Sequence, residues 1–349
     1  MVNLDIFALD GKVESIKPYG EGHINVTYVV NTESGKRYIL QKINSSVFPD
    51  VPALMRNIGL VTDHLRRKTA DSRRVMELIR TKDGGNYTEG DDGYYRMYSF
   101  VEDTICLQLI EKPEDFYESA LAFGGFSESL SDFDASQLSE VIPGFHDTPK
   151  RYENFKRAIE KDALGRAKDV KREIDFILSL EEKMSLLEKM RREGSLPLRV
   201  THNDTKLNNV LLDRATRKAL CVIDLDTVMP GLSLYDYGDS IRFGASTALE
   251  DEKDLEKVSM SLDLFRIYTK GYKEACPSLT EGEIEAMPLG AETMTLECGM
   301  RFLTDYLEGD HYFSIHRPEH NLDRARTQIK LVQDMENKWD RMMKTVREA

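Results

Sequence analysis

No stretch of the sequence approaches the roughly 20 consecutive apolar residues that a membrane-spanning helix needs. The opening residues Met1-Val2-Asn3-Leu4-Asp5 carry neither a basic segment nor an apolar one, so no secretory leader is expected. Positive charge is in short supply: 48 Lys and Arg face 61 Asp and Glu, for a net charge of −13. Nucleic acid and anionic membranes require clustered cations, which argues against either as main partner. Cysteine is sparse, and the four at positions 106, 221, 276 and 298 show neither metal-binding nor redox spacing. Buried, reduced thiols in a cytoplasmic protein are expected. Internal repeats and low-complexity tracts are absent. What remains is a soluble chain of 349 residues, 40% of them hydrophobic, enough for one large domain or two modest ones.

The patterning changes once along the chain. Ile24, Val26, Tyr28 and Val30 alternate with His23, Asn25, Thr27 and Val29, which is strand periodicity. The turn-rich Asn31-Thr32-Glu33-Ser34-Gly35 and the run Tyr38-Ile39-Leu40 complete an antiparallel hairpin. Residues 52–68 have a helical face of Leu54, Ile58, Val61 and Leu65, and strand-like runs return at 75–80 and 94–101. Beyond Glu102 the character is helical: 116–130, long helices over 151–192 with Ile174, Ile177, Leu178, Leu180, Met184 and Leu187 as candidate core, and most of 250–349. A hairpin at 210–223 interrupts this. The expected class is α+β, with an antiparallel β-rich N-lobe over 1–101 and a mainly helical C-lobe over 102–349, hinged near Glu102-Asp103-Thr104.

The chemistry concentrates in Thr201-His202-Asn203-Asp204-Thr205-Lys206-Leu207-Asn208-Asn209, followed past a short hairpin by Val222-Ile223-Asp224. An Asp, an Asn five positions on and a second Asp are the parts that phosphoryl transfer needs. Asp204 is the candidate base, accepting or orienting the proton of an attacking hydroxyl. Asn209 and Asp224 are candidate magnesium ligands, hard oxygen donors suited to that cation. The ammonium of Lys206 is placed to offset charge on the transferred group. Asp226 is a candidate second or water-mediated ligand. His202 is expected to pack and hydrogen-bond within the loop, and Asp236 to brace it rather than to react.

Tyr19-Gly20-Glu21-Gly22-His23-Ile24-Asn25 precedes the first strand, and Gly20 and Gly22 would let backbone approach nucleotide phosphates. Asn25 and Val101 join them as candidate nucleotide contacts. Lys42 is the candidate phosphate lysine, but Gln41 points to the opposite face of the same strand and competes for the inward position. No glutamate occurs in 52–68 to pair with a lysine. His311, His316 and His320 lack a completing carboxylate and are expected at the surface or a substrate cleft.

These residues resemble the catalytic core of the protein-kinase-like superfamily, and within it the aminoglycoside phosphotransferase and choline kinase group. The longer segments 224–231, 234–239 and 132–135, with Pro143-Gly144-Phe145-His146-Asp147-Thr148, are similar to those of bacterial N-acetylhexosamine 1-kinases. The resemblance covers most of the chain in element order. It implies a bilobal fold, ATP and Mg2+ as cofactors, and phosphorylation of the anomeric hydroxyl of N-acetylglucosamine or N-acetylgalactosamine. Arg301, Arg242 and His146 are then candidates to hold the sugar, with a structural salt bridge as the alternative for each arginine. Protein-kinase activity is disfavoured, because Asn203 replaces the arginine that would meet a phosphorylated activation loop and only eleven residues separate Asp224 from Asp236. A kinase of another small alcohol, of aminoglycoside, choline or homoserine type, stays open on composition. A non-catalytic nucleotide-binding protein is disfavoured by the presence of Asp204, Asn209 and Asp224 together.

Overall fold

The computed structural model describes residues 2–20 and 24–349. Within them the expected α+β class forms, antiparallel strands first and helices predominating after. The chain divides into two compact units. The first comprises Met1–Cys106, Ser129–Pro143 and Asn209–Pro230; the second comprises Leu107–Glu128, Gly144–Asn208 and Gly231–Ala349.

In the first unit, β1 (Val13–Pro18), β2 (Val26–Thr32), β3 (Arg37–Lys42), β4 (Thr88–Gly90) and β5 (Gly93–Ser99) form one antiparallel sheet in the order β1-β2-β3-β5-β4. The β2–β3 hairpin lies where alternation placed it. Its register sets Thr27 opposite Gln41, and Gln41 opposite Arg96, so three polar side chains share one face. The edge strand β1 was not legible, because Val13-Glu14-Ser15-Ile16-Lys17-Pro18 is polar and ends in proline, as solvated edges do. The run at 75–80 is a correction. It makes isolated bridges alone, Leu78 to Tyr98 of β5 and Val75 to Val222, since β4 occupies the other end of the β5 edge.

Helix α1 (Val51–Arg66) starts where Asp50 accepts the Ala53 N–H (2.9 Å) and Pro52 fits the first turn. Leu54, Ile58, Val61 and Leu65 are buried at helical spacing. The same face buries Asn57, whose amide donates to the carbonyls of Ser139 (2.8 Å) and Val228 (3.0 Å) and accepts the Ser139 N–H (2.9 Å). That tie anchors the backbone two residues after Asp226. A second sheet joins β6 (Thr104–Cys106), β7 (Val210–Asp213) and β8 (Ala219–Val222). These hydrogen bonds draw the 209–230 hairpin into the first unit.

The second unit contains α2 (Pro113–Ser129, through Glu128), α3 (Thr148–Lys161), α4 (Lys171–Ser179), α5 (Glu181–Arg192), α6 (Ser233–Gly244), α7 (Leu262–Ala275), α8 (Glu281–Glu285), α9 (Met287–Glu308), α10 (His320–Asn337) and α11 (Trp339–Glu348). Its core forms around α9, whose Leu296, Met300 and Leu303 meet Phe155 of α3, Ile174 and Ile177 of α4, and Ala325 and Val332 of α10. Helix α9 ends at Gly309, whose φ of +113° suits a residue without Cβ. Of the expected core positions over 151–192, Leu178 is only half-buried. No disulfide forms among the described residues; Cys221 and Cys276 are buried, but Cys298 is half-buried and Cys106, on the edge strand β6, is exposed, which corrects the expectation of buried thiols. Among the described residues no helix is long and apolar enough to cross a membrane.

Candidate active site

In the second unit, the short strand Arg199–Thr201 delivers the loop that carries Asp204. Asn203 takes the left-handed conformation (φ +64°), which turns the backbone sharply. The carboxylate of Asp236, on α6, accepts the N–H groups of His202 (2.8 Å) and Asn203 (2.7 Å). The Thr205 hydroxyl donates to the Asp236 carbonyl (2.8 Å), and Ser240 donates to the Thr205 carbonyl (3.1 Å). His202 is fully buried against the rings of Phe123 and Phe126, 5.4 and 5.8 Å away between centroids, and its Nδ1 accepts the Asp204 N–H (3.3 Å). Both residues therefore have the bracing roles expected of them.

Burial pushes the Asp236 carboxyl up to about 6, against the pull of His202 and the two backbone N–H groups. A folded pKa above the ordinary value contributes stability that is lost as pH rises through about 6. We expect Asp236→Asn to remove that part of the pH dependence. The amide keeps one acceptor but sets its own N–H2 against a backbone N–H. Turnover should fall roughly ten-fold or more as the loop loosens, while stability at neutral pH changes by less than about 2 kcal/mol, because losing the hydrogen bonds is partly offset by removing a desolvated charge. Thermal melts from pH 4 to 8 beside turnover assays check this; an unchanged turnover would overturn the bracing role.

Asp204 faces Lys206 at 2.9 Å, with both side chains partly exposed. Burial disfavours the Lys206 charge, but Asp204 outweighs it and holds the lysine pKa above its ordinary value. Asp239, mostly buried, has its carboxyl pKa held below the ordinary value by Arg242 and Lys206 against the penalty of burial. Arg242 spans Asp239 (2.9 Å) and Glu250 (2.7 Å), which is the salt-bridge alternative for that residue. The His146 Nδ1 lies 2.9 Å from Glu297, while its buried Nε2 has no hydrogen-bond partner. Arg301 makes no ion pair among the described residues. Its guanidinium lies over Phe145 (5.8 Å), Tyr312 (5.7 Å) and Phe313 (5.4 Å). His320 contacts Asp251 (3.1 Å) and accepts the His316 N–H (3.2 Å).

In the first unit, Asn209 and Asp224 stand at the ends of β7 and β8. The Ile223 N–H donates to the Asn209 carbonyl (2.9 Å), joining the backbones of the two candidate ligands. Asp224 has φ +60°, an uncommon conformation for a residue with a side chain and one that clusters at functional sites. Two oxygen donors on adjacent strand ends fit a magnesium ion, which takes few protein ligands and completes its shell with phosphates and water. Asp226 does not join them. Its carboxylate pairs with Arg96 and accepts from Asn25 Nδ2 (2.6 Å).

Arg96 is the residue sequence reasoning missed. It is 1% exposed, and Asp226 overcomes the penalty of burial to hold it charged. Its Nε and Nη2 donate to Gln41 Oε1 (3.0 and 2.8 Å), and Gln41 donates to Thr27 (3.2 Å). The open choice at β3 therefore places Gln41 with this buried pair, while Lys42 reaches the opposite way to Asp92 (2.9 Å). The absent helix glutamate is also explained: the buried cation comes from β5 and its carboxylate from the Asp224-Leu225-Asp226 segment. A lone arginine inside the apolar run Tyr94–Tyr98 was the available signal. Asn25 Oδ1 accepts the Asn44 N–H (3.0 Å), Gly20 has φ +77° with none of the described residues within 4 Å of where a Cβ would sit, and Val101 lies past the end of β5. Gly22 lies outside the described residues.

Residues 15–257 match a family described as phosphotransferase enzymes. Among solved structures, an aminoglycoside phosphotransferase from Alicyclobacillus acidocaldarius is similar with a TM-score of 0.64 at 12% identity, covering 95% of this chain and 93% of that one. A microcompartment-associated aminopropanol kinase matches with a TM-score of 0.58 at 16% identity, over 97% and 96% of the two chains. An amicoumacin kinase, solved with AMP-PNP and Ca2+, matches with a TM-score of 0.58 at 13% identity, over 94% and 90%. At these identities the likeness speaks to the fold.

Proposed function

Because the chain belongs to the phosphotransferase enzyme family, we propose that it is an ATP- and Mg2+-dependent sugar kinase that phosphorylates the anomeric hydroxyl of an N-acetylhexosamine, N-acetylglucosamine or N-acetylgalactosamine. Asp204 accepts or orients the proton of that hydroxyl, and Lys206 offsets charge on the transferred group. Asn209 and Asp224 would hold the magnesium ion, whose charge screens the phosphate oxygens. Gly20 and Asn25, with Val101, serve the nucleotide. Arg301 and the unpartnered Nε2 of His146 serve the sugar; Arg242 acts through Asp239.

One observation carries the choice of a neutral acceptor. In the second unit Asp239, near Lys206, pairs with Arg242, and Glu297 lies against His146 and Arg151. The aromatic faces of Phe145, Tyr312 and Phe313 already surround the Arg301 guanidinium. A cationic amine is held by a carboxylate or an aromatic face, and here Arg242, Arg151 and Arg301 already stand as cations beside those groups. An uncharged sugar needs only donors and acceptors.

Within a free hexosamine the anomeric hydroxyl is the most acidic, because the ring oxygen withdraws charge from the same carbon. One carboxylate can therefore activate it. A 1-deoxy analogue of the sugar is expected to bind without reacting, and phosphorus NMR should couple the product phosphate to the anomeric proton. Phosphate on the 6-hydroxyl would retain the kinase and reject the position. Turnover of ethanolamine or an aminoglycoside in place of the sugar would reject the acceptor class.

A further inference from the structure

A cavity of about 460 Å³ lies against α3, α9 and the segment following α9. Its wall carries four cations, Arg151, Arg157, Lys161 and Arg301, and two carboxylates, Asp305 and Glu308. Asp305 is unavailable to balance them. Its oxygens accept the N–H groups of His311 (2.9 Å), Tyr312 (2.8 Å) and Phe313 (2.9 Å) and the Asn321 amide (2.9 Å). Among the described residues Arg157, Lys161 and Arg301 make no ion pair; Arg157 donates to the Asn154 side chain, and Arg151 lies 3.5 Å from Glu297 and donates from Nε to the Phe145 carbonyl (2.8 Å). Burial and the nearby Arg301 charge together hold the Arg151 pKa below its ordinary value. Arg157 and Lys161 stand four apart on α3, a like-charge spacing that destabilises a helix unless something offsets it. In a chain of net charge −13, a wall with four cations against two carboxylates, one of them the already engaged Asp305, runs against the overall balance. Tyr312 and Phe313 add aromatic surface to the same wall.

We propose that this cavity binds a phosphomonoester of a monosaccharide, its phosphate held by Arg151, Arg157 and Lys161 and its ring lying against Tyr312. Guanidinium forks match phosphate oxygens, and the added charge shortens and strengthens those hydrogen bonds. The apolar C–H face of a sugar ring suits an aromatic side chain. The volume lies within the range of small-molecule sites. Arg301 borders the cavity, so an occupant competes for the guanidinium assigned to the acceptor and raises the KM for acceptor while leaving kcat alone. That coupling rests on the acceptor role of Arg301; the binding does not.

Calorimetric titration of the intact protein with glucose 6-phosphate and with inorganic phosphate, without nucleotide, tests the site. Saturable sugar-phosphate binding is expected, weakened by salt and roughly ten-fold or more weaker in the Arg157→Gln, Lys161→Gln double variant. Both residues are exposed, and turnover of that variant without added sugar phosphate should match the unaltered protein. Tyr312→Ala should weaken glucose 6-phosphate but not inorganic phosphate. Absence of saturable binding, or equal binding by the double variant, would overturn the site. Equal affinity for phosphate and sugar phosphate would overturn its assignment to a sugar.

Discussion

Asp204→Asn is expected to cut turnover by roughly 10²–10⁴-fold, the usual worth of a positioned general base. The asparagine keeps an oxygen for Lys206, at 2.9 Å in the unaltered protein, but cannot take a proton at neutral pH. Folding should survive, because the Asp204 side chain is partly exposed and the loop is fixed by Asp236 and His202 rather than by Asp204 itself. Nucleotide affinity should change little, since the role assigned to Asp204 concerns the acceptor. Lys206 should lose part of the pull that raises its pKa. Steady-state kinetics beside a nucleotide-binding titration separate these effects. Near-normal turnover in a folded variant would end the assignment of Asp204 as base.

Asp224→Ala is expected to reduce magnesium-dependent turnover to background. Under the proposed roles it removes the one charged protein ligand, and a carboxylate is a far stronger ligand for this cation than an amide. Asn209→Ala should be milder and partly restored by raising magnesium. The β7–β8 pairing and the Ile223 N–H bond to the Asn209 carbonyl are backbone contacts, so neither change should disturb the hairpin. Alanine at 224 must still take a φ of +60°, which costs it more than aspartate, so a melting curve belongs beside the assay. Activity at low magnesium equal to that of the unaltered protein would show that Asp224 is not a ligand.

What was legible in the sequence follows from what is local. Alternation over 26–30 and 38–40 placed a hairpin because side chains on a strand change face at every step, and helical spacing over 54–65 placed α1 because that face is buried. The adjacency of the Asn209 and Asp224 backbones could be read because a short hairpin connects them. Arg96 could not be placed in the same way. Its partner Asp226 is distant in sequence, and only the sheet register brings the two together. The choice between Gln41 and Lys42 stayed open for a related reason: neighbouring residues on a strand face opposite ways, and only cross-strand contacts reveal which way is inward. The 75–80 run misled because apolar content predicts burial beside a sheet, while a regular ladder also needs an unoccupied edge.

The Arg96–Asp226 pair restricts how the two positions can change over generations. Replacing both partners of a buried pair with well-packed apolar residues is often nearly neutral, whereas replacing one strands the other charge and costs about 3–5 kcal/mol. Folded domains have a margin of about 5–15 kcal/mol in total. Any lineage moving away from this pair one substitution at a time must therefore pass through an intermediate that has lost a large share of its stability. A buried arginine on one strand and an aspartate after a distant hairpin are thus expected to change together or not at all, although an ion pair is what connects them.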